Sequence, residues 1–468
     1  MGVALLLGME MQAGQRVPRV VVNVTIDGLR SDLLDAYMPL FGERGLRMLM
    51  EHGCVLDNAE YPTYENNRAS SIATLATGTV PYDHGIIDMR WLDRSTLRPV
   101  YCVEDMSQRG LNTAERLSAV NMQTSTVGDE LKVASQGKAL VYAFAPYADA
   151  AILSAGHAAD GAYWIDNNSG LWAGTAYYGA ELPAWVESVN AHTYGNVRGD
   201  VTDVNERVVA MAQSCFRYTT MGIDEVPDYM ALTLTTLQPD KEKSEIYRKL
   251  DEVIGNLIAA AETSVGRDNA LFVITSTGTA EPEVADLETY RIPTGNFYID
   301  RTANLLNMML IALYGQGNYV ETTYGNQIYL NRMLIEQKQL NMSEVLDRCQ
   351  ELLLQSEGVK DAYSAQRLLI GAWTPDISRI RNGYNVRLSG DIVVQVAPGW
   401  HLANETTGYS KLVREAHVAF PIIFYGLDVP ARQMALPVST ERIAPTLAGV
   451  MRIRAPNACK ALPLDIGN

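Results

Sequence analysis

The stretch Val20-Val-Val-Asn-Val-Thr-Ile-Asp27-Gly-Leu-Arg-Ser-Asp32 decides the fold of this chain. Its β-branched and apolar residues predict a buried strand that ends on the carboxylate of Asp27 and breaks at Gly28. In open α/β sheets, ligands lie just beyond the carboxyl ends of the strands, and a metal-binding Asp is expected at that place. A turn or helix-capping carboxylate is the alternative. The partners that the rest of the chain supplies for Asp27 decide between the two.

Length and charge limit the classes of protein to which the chain can belong. Its 468 residues are enough for a large core and predict two or three domains. The formal net charge of −16 argues against a nucleic-acid partner, whose phosphates would be repelled. No apolar run reaches the roughly 20 residues that cross a bilayer, so we expect a protein that does not span the membrane.

The N-terminus predicts export. Residues 1–15 combine a short apolar run with small residues near Ala13, as at the end of a secretory signal, although they lack a basic start and carry Glu10. We therefore predict a signal-peptide remnant at residues 1–15 and an exported, periplasmic protein. A frayed apolar terminus is the alternative.

Five cysteines are scattered along the chain without a CxxC pair, which excludes a zinc ribbon and a dense disulfide framework. In an exported monomer they allow one or two disulfides and leave at least one free thiol. The cysteines are Cys54, Cys102, Cys215, Cys349 and Cys459.

Buried strands alternate with helices along most of the chain, which predicts an α/β fold. Between about 294 and 380 the order becomes helix, strand, helix, strand, which indicates an inserted α+β subdomain. We therefore predict a core over 16–293, the subdomain over 294–380, and a closing part of the core over 381–468. The principal predicted elements are helices at 37–52, 243–262 and 439–449, the last capped by Ser or Thr, and core strands at 139–145, 229–236, 271–276, 391–396 and 421–426.

Short motifs along the chain resemble those of the alkaline phosphatase superfamily. They include Ile26-Asp-Gly-Leu-Arg-Ser-Asp-Leu33, Thr77-Gly-Thr-Val-Pro-Tyr-Asp-His-Gly-Ile86, Ala150-Ala-Ile-Leu-Ser-Ala-Gly-His157, Pro421-Ile-Ile-Phe-Tyr-Gly426 and Ile443-Ala-Pro-Thr-Leu447. Their order is similar to that in exported phosphate-irrepressible alkaline phosphatases and in the type I phosphodiesterase–nucleotide pyrophosphatases. The resemblance implies a three-layer α/β/α sandwich around a large, mostly parallel sheet.

The resemblance also implies two zinc ions, which need about six Asp and His ligands converging on one place. Asp27 matches the first metal ligand of the family. The other ligand positions that we can match hold residues that bind zinc poorly compared with imidazole and carboxylate, namely Gln238, Ser276, Thr277 and Ser410. We therefore predict that the family's zinc is absent.

The family's nucleophile, a Thr or Ser, opens the helix that ends at Thr77-Gly78. Counting back from that Thr-Gly places Arg68 at the nucleophile position, whereas counting forward from Pro62 places Glu65 there. Ser70 and Ser71 are the nearby hydroxyls, and we expect them to serve helix packing. No nucleophile is predicted.

The residues that orient phosphate in the family are also replaced. Met89 stands at an Asn position, and Tyr147 and Asp149 stand at the two basic positions of a Lys-x-Arg pair. A carboxylate in place of a guanidinium reverses the local charge where phosphate would bind.

The number of histidines supports the same conclusion without an alignment. None of the six lies between 193 and 400, an interval that the family needs for at least two ligands, and His401 and His417 lie at other offsets from Pro421. His84 and His157 belong to motifs that look structural in the family. The remaining histidines are His52 and His192.

We predict a catalytically inactive pseudo-phosphatase that acts as an exported binding or scaffold protein for an unknown protein or ligand of the cell envelope. The predicted vestigial cleft consists of Asp27, Arg68, Ser70, Met89, Tyr147 and Asp149. One alternative is an active phosphomonoesterase or phosphodiesterase with an altered site that does not hold two zinc ions. Another is a glycan- or nucleotide-binding surface formed by Trp164, Trp172, Tyr177 and Tyr178, for which packed irregular structure is the competing interpretation.

Overall fold

The computed structural model describes residues 16–194, 203–238, 241–279, 293–371, 374–414 and 418–467. The predicted signal-peptide remnant and His417 lie outside the described residues. The strands are β1 Val20–Asp27, β2 Cys54–Glu60, β3 Arg90–Asp93, β4 Arg98–Tyr101, β5 Gly110–Leu111, β6 Val141–Ala145, β7 Gly161–Ile165, β8 Trp172–Thr175, β9 Asp228–Thr235, β10 Ala270–Ser276, β11 Gly295–Tyr298, β12 Val320–Tyr324, β13 Gln327–Leu330, β14 Val359–Ser364, β15 Ile392–Val396, β16 Trp400–Asn404, β17 Tyr409–Leu412, β18 Phe420–Gly426, β19 Arg432–Met434 and β20 Val438–Ser439.

The helices alternate with these strands. They are α1 Ser31–Tyr37, α2 Leu46–His52, α3 Arg68–Thr77, α4 Pro81–His84, α5 Val127–Ala134, α6 Ala148–Ala155, α7 Ala184–Tyr194, α8 Val204–Tyr218, α9 Lys243–Val265, α10 Ile299–Tyr314, α11 Arg332–Gln337, α12 Met342–Leu354, α13 Ala365–Ile370, α14 Pro375–Asn382 and α15 Ile443–Val450. In the described part of the chain, no helix combines the length and the apolar character needed to cross a membrane.

Eleven strands form one large sheet in the order β19-β2-β18-β10-β1-β9-β6-β7-β8-β5, with β20 beside β2. Its five central strands, β10, β1, β9, β6 and β7, are all parallel, while β18 and β8 run antiparallel to their neighbours. All eight residues of β1 are buried between β9 and β10. A strand buried on both faces explains the unbroken apolar and β-branched run that begins at Val20.

Helices cover both faces of this sheet, which confirms the predicted three-layer sandwich. One face packs against α3, α5, α6 and α15, and the other packs against α1, α2, α7, α8 and α9. Side chains along β1 alternate between the two faces, so Val20, Val22 and Val24 contact the second group. Asp27 therefore points towards the face that α3 and α6 cover.

A second core lies under α10 and α12, around two smaller sheets of three and four strands. Here one prediction is wrong: β15, which we assigned to the resuming core sheet, pairs with β13 and β14 in the four-stranded sheet. Residue 381 is thus not the point where the large sheet resumes, since its next strand is β18. An apolar strand pattern reports burial and cannot identify the sheet in which the strand pairs.

Two other expectations differ from the structure in detail, and the structure forms none of the disulfides that the sequence allows. Of the predicted helix at 37–52, only Leu46–His52 is α-helical beyond the end of α1 at Tyr37, because a 3-10 turn containing Pro39 and a loop with Gly42 and Gly45 separate α1 from α2. Helix α15 begins at Ile443 after a 3-10 turn and has no side-chain cap. All five cysteines are free thiols, and four of them are buried.

Candidate functional site

The candidate site lies where the carboxyl end of β1 meets the start of α3. The strand stops because Gly28 adopts φ +83°, a left-handed backbone conformation that residues other than glycine rarely adopt. Ile26 pairs with Ser276 in the parallel register, which places Thr277 directly beside Asp27. Asp27 itself is buried, with 3% of its surface exposed.

Two hydroxyl groups bind one oxygen of the Asp27 carboxylate. Thr277 Oγ1 and Thr279 Oγ1 each lie 2.5 Å from Asp27 Oδ1, and they lie 2.8 Å from each other. Hydroxyls can donate to a carboxylate, which only accepts, so the two threonines satisfy this oxygen.

A guanidinium approaches the other oxygen. Arg68 Nη1 lies 3.8 Å from Asp27 Oδ2, and the same side chain forms a two-pronged ion pair with Asp149, at 3.0 Å from Nε to Oδ2 and 3.1 Å from Nη2 to Oδ1. Asp149 is fully buried at the start of α6. Arg68 therefore supplies one positive charge to two buried carboxylates.

Two tyrosines complete the surroundings of Arg68. Its guanidinium lies over the ring of Tyr147 at 3.9 Å from the ring centre, and Tyr101 Oη donates to Asp149 Oδ1 at 3.0 Å. We name the set formed by Asp27, Arg68, Tyr101, Tyr147, Asp149, Thr277 and Thr279 the Asp27 cluster.

The electrostatics of the Asp27 cluster favour a charged arginine. Burial opposes the charge of Arg68, but the attraction of Asp149 and Asp27 outweighs burial and raises the pKa of the guanidinium. Burial, together with the negative charge of Asp149, raises the pKa of the Tyr101 hydroxyl. Tyr101 therefore stays neutral and acts as a hydrogen-bond donor.

The start of α3 presents Arg68 to the cluster. Asn67 caps this helix by accepting from the Ser70 N–H at 3.0 Å, and Ser70 Oγ donates to the Asn67 carbonyl at 3.3 Å. Ser70 is therefore engaged with its own helix. Glu65, the other residue matched to the nucleophile position, lies away from Asp27 and contacts Asn326 and Lys411.

Apart from Thr277, the positions matched to zinc ligands make no hydrogen bond to Asp27. The buried Ser276 Oγ accepts from the Gly278 N–H at 3.1 Å, and Ser410 lies on β17, where its hydroxyl is 3.3 Å from His401 Nδ1. Gln238 Nε2 is buried without a hydrogen-bond partner among the described residues. Of these residues, the structure brings only Thr277 to Asp27.

Met89 is likewise not part of the Asp27 cluster. It is exposed, and its backbone bonds to Asp88 and Cys102 hold it at the start of β3. The predicted vestigial cleft thus divides into a connected part, Asp27, Arg68, Tyr147 and Asp149, and two residues, Ser70 and Met89, that make no bond to it.

The donor groups around Asp27 do not fit a pair of zinc ions. Its nearest neighbours are two hydroxyls and a cation, whereas zinc needs thiolate, imidazole or carboxylate ligands. No group of three or more His, Cys, Asp and Glu side chains that could hold a metal ion occurs within the described ranges. His84 and His157 bond instead to Thr74 and Asp129.

Sequence reasoning missed Tyr101 and Thr279. The parallel register of β1 and β10 would have placed Thr277 beside Asp27, and Thr279 follows two residues later. Tyr101 reaches Asp149 from a hairpin formed by β3 and β4, and no local sequence pattern predicts this contact.

The aromatic segment is not an open binding surface. Trp164 and Trp172 are almost completely buried, and Tyr177 and Tyr178 pack against the core under α3 and α6. The segment is packed structure, so its aromatic rings do not form the glycan- or nucleotide-binding surface of the alternative interpretation.

The family model of type I phosphodiesterase / nucleotide pyrophosphatase matches residues 21–417. The chain belongs to this family. The family match and the fold together confirm the predicted membership of the alkaline phosphatase superfamily.

Known relatives span nearly the whole length of this phosphodiesterase-family chain. It is 24% identical to the alkaline phosphatase PafA of Elizabethkingia meningoseptica, over 96% of this chain and 94% of that protein. It is 23% identical to the alkaline phosphatase PhoV of Synechococcus elongatus, over 94% of this chain and 91% of that protein.

Solved structures share the fold. The crystal structure of PafA superposes with a TM-score of 0.84 at 23% identity, covering 96% of this chain and 98% of that one. The murine ectonucleotide pyrophosphatase / phosphodiesterase 5 superposes with a TM-score of 0.57 at 13% identity, covering 96% and 97%.

Proposed function

We propose that this chain is a catalytically inactive pseudo-phosphatase, exported to the periplasm, where its scaffold binds a protein or ligand of the cell envelope. The position of Arg68 carries the proposal. Its guanidinium lies between Asp27 and Asp149, at the start of the helix where the family places its nucleophile. The side chain offers neither a nucleophile nor a metal ligand.

Charge supports the proposal. A zinc pair at Asp27 would bring four positive charges next to the guanidinium of Arg68, and the two would repel each other. Displacing Arg68 would leave the fully buried Asp149 without its ion pair, and breaking a buried pair in that way costs about 3–5 kcal/mol. The resident arginine is therefore a strong competitor for any metal at this place.

The hydroxyls of the site support it as well. Thr277 and Thr279 are bound to Asp27, and the Ser70 hydroxyl donates to the backbone of its own helix. A Ser or Thr nucleophile needs a base or a metal to activate it, and the carboxylates that the described residues bring to Arg68, Asp27 and Asp149, are both engaged by its guanidinium. We infer that the cleft lacks an activated nucleophile.

The alternative is a phosphoric ester hydrolase that works without two zinc ions. The relatives named alkaline phosphatases favour it, since they match nearly the entire chain. In that case Asp27 would take part in turnover, and removing its charge would abolish activity.

Turnover of an aryl phosphate monoester and an aryl phosphate diester separates the two functions. The full chain is assayed with and without added zinc, beside Asp27→Asn and the control Asp32→Asn, whose carboxylate is largely exposed. We expect all three proteins to show the same background rate. Turnover above that background, with or without added zinc, that Asp27→Asn abolishes and Asp32→Asn retains would overturn the proposal and establish the hydrolase.

A further inference from the structure

A cavity of about 120 Å³ lies apart from the Asp27 cluster, between the loop before α3 and the strands β13 and β15 of the smaller sheet. Neither Asp27, Arg68 nor Asp149 lines it. Since a cavity needs about 10–15 Å³ to hold one water, this one has room for roughly ten water-sized groups. A monosaccharide has about that number of non-hydrogen atoms.

Among the side-chain amides that line this cavity, three have their oxygens bound and their NH₂ groups unbonded in the described part of the chain. Gln327 Oε1 accepts from the Gly390 N–H at 2.6 Å, Gln395 Oε1 from the Tyr363 hydroxyl at 3.1 Å, and Asn66 Oδ1 from the Thr63 hydroxyl at 2.6 Å. Because these oxygens accept from the protein, each amide turns its NH₂ group the other way.

These NH₂ groups have no partner among the described residues. Gln395 is the strongest case, because the residue is only 5% exposed and yet its Nε2 makes no hydrogen bond. None of the three nitrogens is completely buried, so each is open to a water or a ligand that can accept from it. The cavity lining therefore offers unpartnered amide donors to a bound molecule.

The charged groups of the cavity are balanced and mostly paired with one another. Lys411 Nζ lies 3.4 Å from Glu65 Oε2, and Arg379 donates to the carbonyls of Tyr61 and Thr63. Asp88, whose Oδ1 accepts from the Met89 N–H, is the further carboxylate of the lining. An anion would meet the two carboxylates and a cation would meet the amide donors, so a neutral ligand fits better than either.

Part of the remaining lining is apolar and aromatic. Ile87, Ile380 and Val393 contribute aliphatic surface, and the ring of Tyr384 lies among them. Sugars present C–H faces that pack on such surfaces while their hydroxyls exchange hydrogen bonds with amides and carboxylates.

We infer that this cavity binds a neutral, polyhydroxylated molecule of monosaccharide size, either free or as the terminal unit of a glycan. Its hydroxyls would accept from Asn66, Gln327 and Gln395 and donate to Glu65 and Asp88. The inference goes beyond the proposed function and does not depend on it, because an active hydrolase could carry the same cavity.

Titration of the full chain with a panel of neutral monosaccharides tests the inference, by calorimetry and by saturation-transfer NMR. Acetate, glycine and inorganic phosphate serve as ionic probes. We expect at least one sugar to bind saturably with a Kd of about 1 mM, and its methyl glycoside to bind as well if the site takes a glycan end. Saturable binding of either form supports the inference.

Variants link the binding to the cavity. Gln395→Met keeps the size of the side chain and removes the NH₂ donor. We therefore expect sugar affinity to fall about 3- to 10-fold, which corresponds to the net free energy of one neutral hydrogen bond. Gln350→Met is the matched control, because Gln350 donates to the Ala362 carbonyl in the same subdomain and does not line the cavity. Asn66→Asp gives a second test if Gln395→Met fails to fold, since the new carboxylate still accepts from Thr63.

Three outcomes would overturn the inference. One is that no neutral sugar saturates the protein at concentrations up to about 100 mM. Another is that acetate, glycine or phosphate binds at this site instead. The third is that a sugar binds with equal affinity to the unmodified chain, Gln395→Met and Asn66→Asp. None of these bears on turnover of phosphate esters, so the proposed function is tested separately.

Discussion

Arg68 pairs with two buried carboxylates, and its neighbours leave its side chain little room for another position. Asp149 is fully buried, Asp27 is nearly so, and Tyr147 covers one face of the guanidinium. A paired charge in such a place contributes little net stability, but removing one partner leaves the other charge without compensation. The energetic role of Arg68 is thus best measured by deleting it.

Arg68→Met should lower the free energy of unfolding by about 3–5 kcal/mol, because Asp149 loses its ion pair while it stays buried. Urea unfolding at pH 7 measures the change. Arg98→Met, at an exposed arginine of β4, is the control and should stay within about 0.5 kcal/mol of the unmodified chain. Adding Asp149→Asn to Arg68→Met should recover part of the loss. Equal stability of Arg68→Met and Arg98→Met would contradict the account of this ion pair.

His84 makes the folded state sensitive to acid. The residue is fully buried, its Nδ1 accepts from the Ile86 N–H at 3.1 Å, and Nε2 therefore carries the proton and faces Thr74 Oγ1 at 3.2 Å. Burial lowers the pKa of His84 to about 3. Below its ordinary value of 6.5 the unfolded chain takes up a proton that the folded chain refuses, so stability falls as the pH falls from 6.5 towards 3.

His84→Asn removes this titration. We expect the variant to be less stable at pH 7.5, because the packing around the imidazole is lost. Between pH 7.5 and pH 5, however, it should lose about 2 kcal/mol less than the unmodified chain does. Urea midpoints at both pH values give the comparison, with His52→Asn, at an exposed residue, as the control. A pH dependence as steep in His84→Asn as in the control would disprove the role of His84.

At the scale of elements, α3 and α6 bring Arg68 and Asp149 together across 81 residues of sequence. Both helices are rich in alanine, and Ala69, Ala73, Ala150 and Ala151 are completely buried. Small side chains let the helices lie close to each other and to the sheet. The geometry of the Asp27 cluster therefore depends on helix spacing.

Ala73→Leu tests this dependence. Adding three carbon atoms at a fully buried position should cost about 1–3 kcal/mol in the free energy of unfolding through overpacking. Ala134→Leu, at an exposed position in the last turn of α5, should change stability by less than about 0.5 kcal/mol. If thermal and urea unfolding show Ala73→Leu to be as stable as Ala134→Leu, the helices are packed less tightly than we infer.

The elements also show how far sequence patterns reach. The run from Val20 to Asp27 predicts its strand correctly, because a strand buried on both faces leaves a continuous apolar pattern. The strand at Ile392–Val396 has a similar composition but pairs in another sheet, which is decided by contacts far away in sequence. Local patterns thus report burial and element type, whereas pairing partners depend on the whole chain.

At the scale of the whole molecule, the family motifs predict the sandwich and the place of the site, because their order follows the order of its strands and helices. The residues at matched positions also predict which zinc ligands are replaced. They do not show what stands in their place. The ion pair of Arg68 and the hydroxyls of Thr277 and Thr279 join segments up to 252 residues apart, so only the folded structure reveals them.

The central claim is that an arginine and two hydroxyls occupy the surroundings of Asp27, where the family implies a pair of zinc ions. The most direct test is the zinc content of the purified full chain after equilibration with excess zinc and dialysis, measured for the unmodified protein, Asp27→Asn and the control Asp32→Asn. We predict well below one zinc ion per chain, with no difference among the three proteins. Two zinc ions per chain, lost in Asp27→Asn and retained in Asp32→Asn, would contradict the claim.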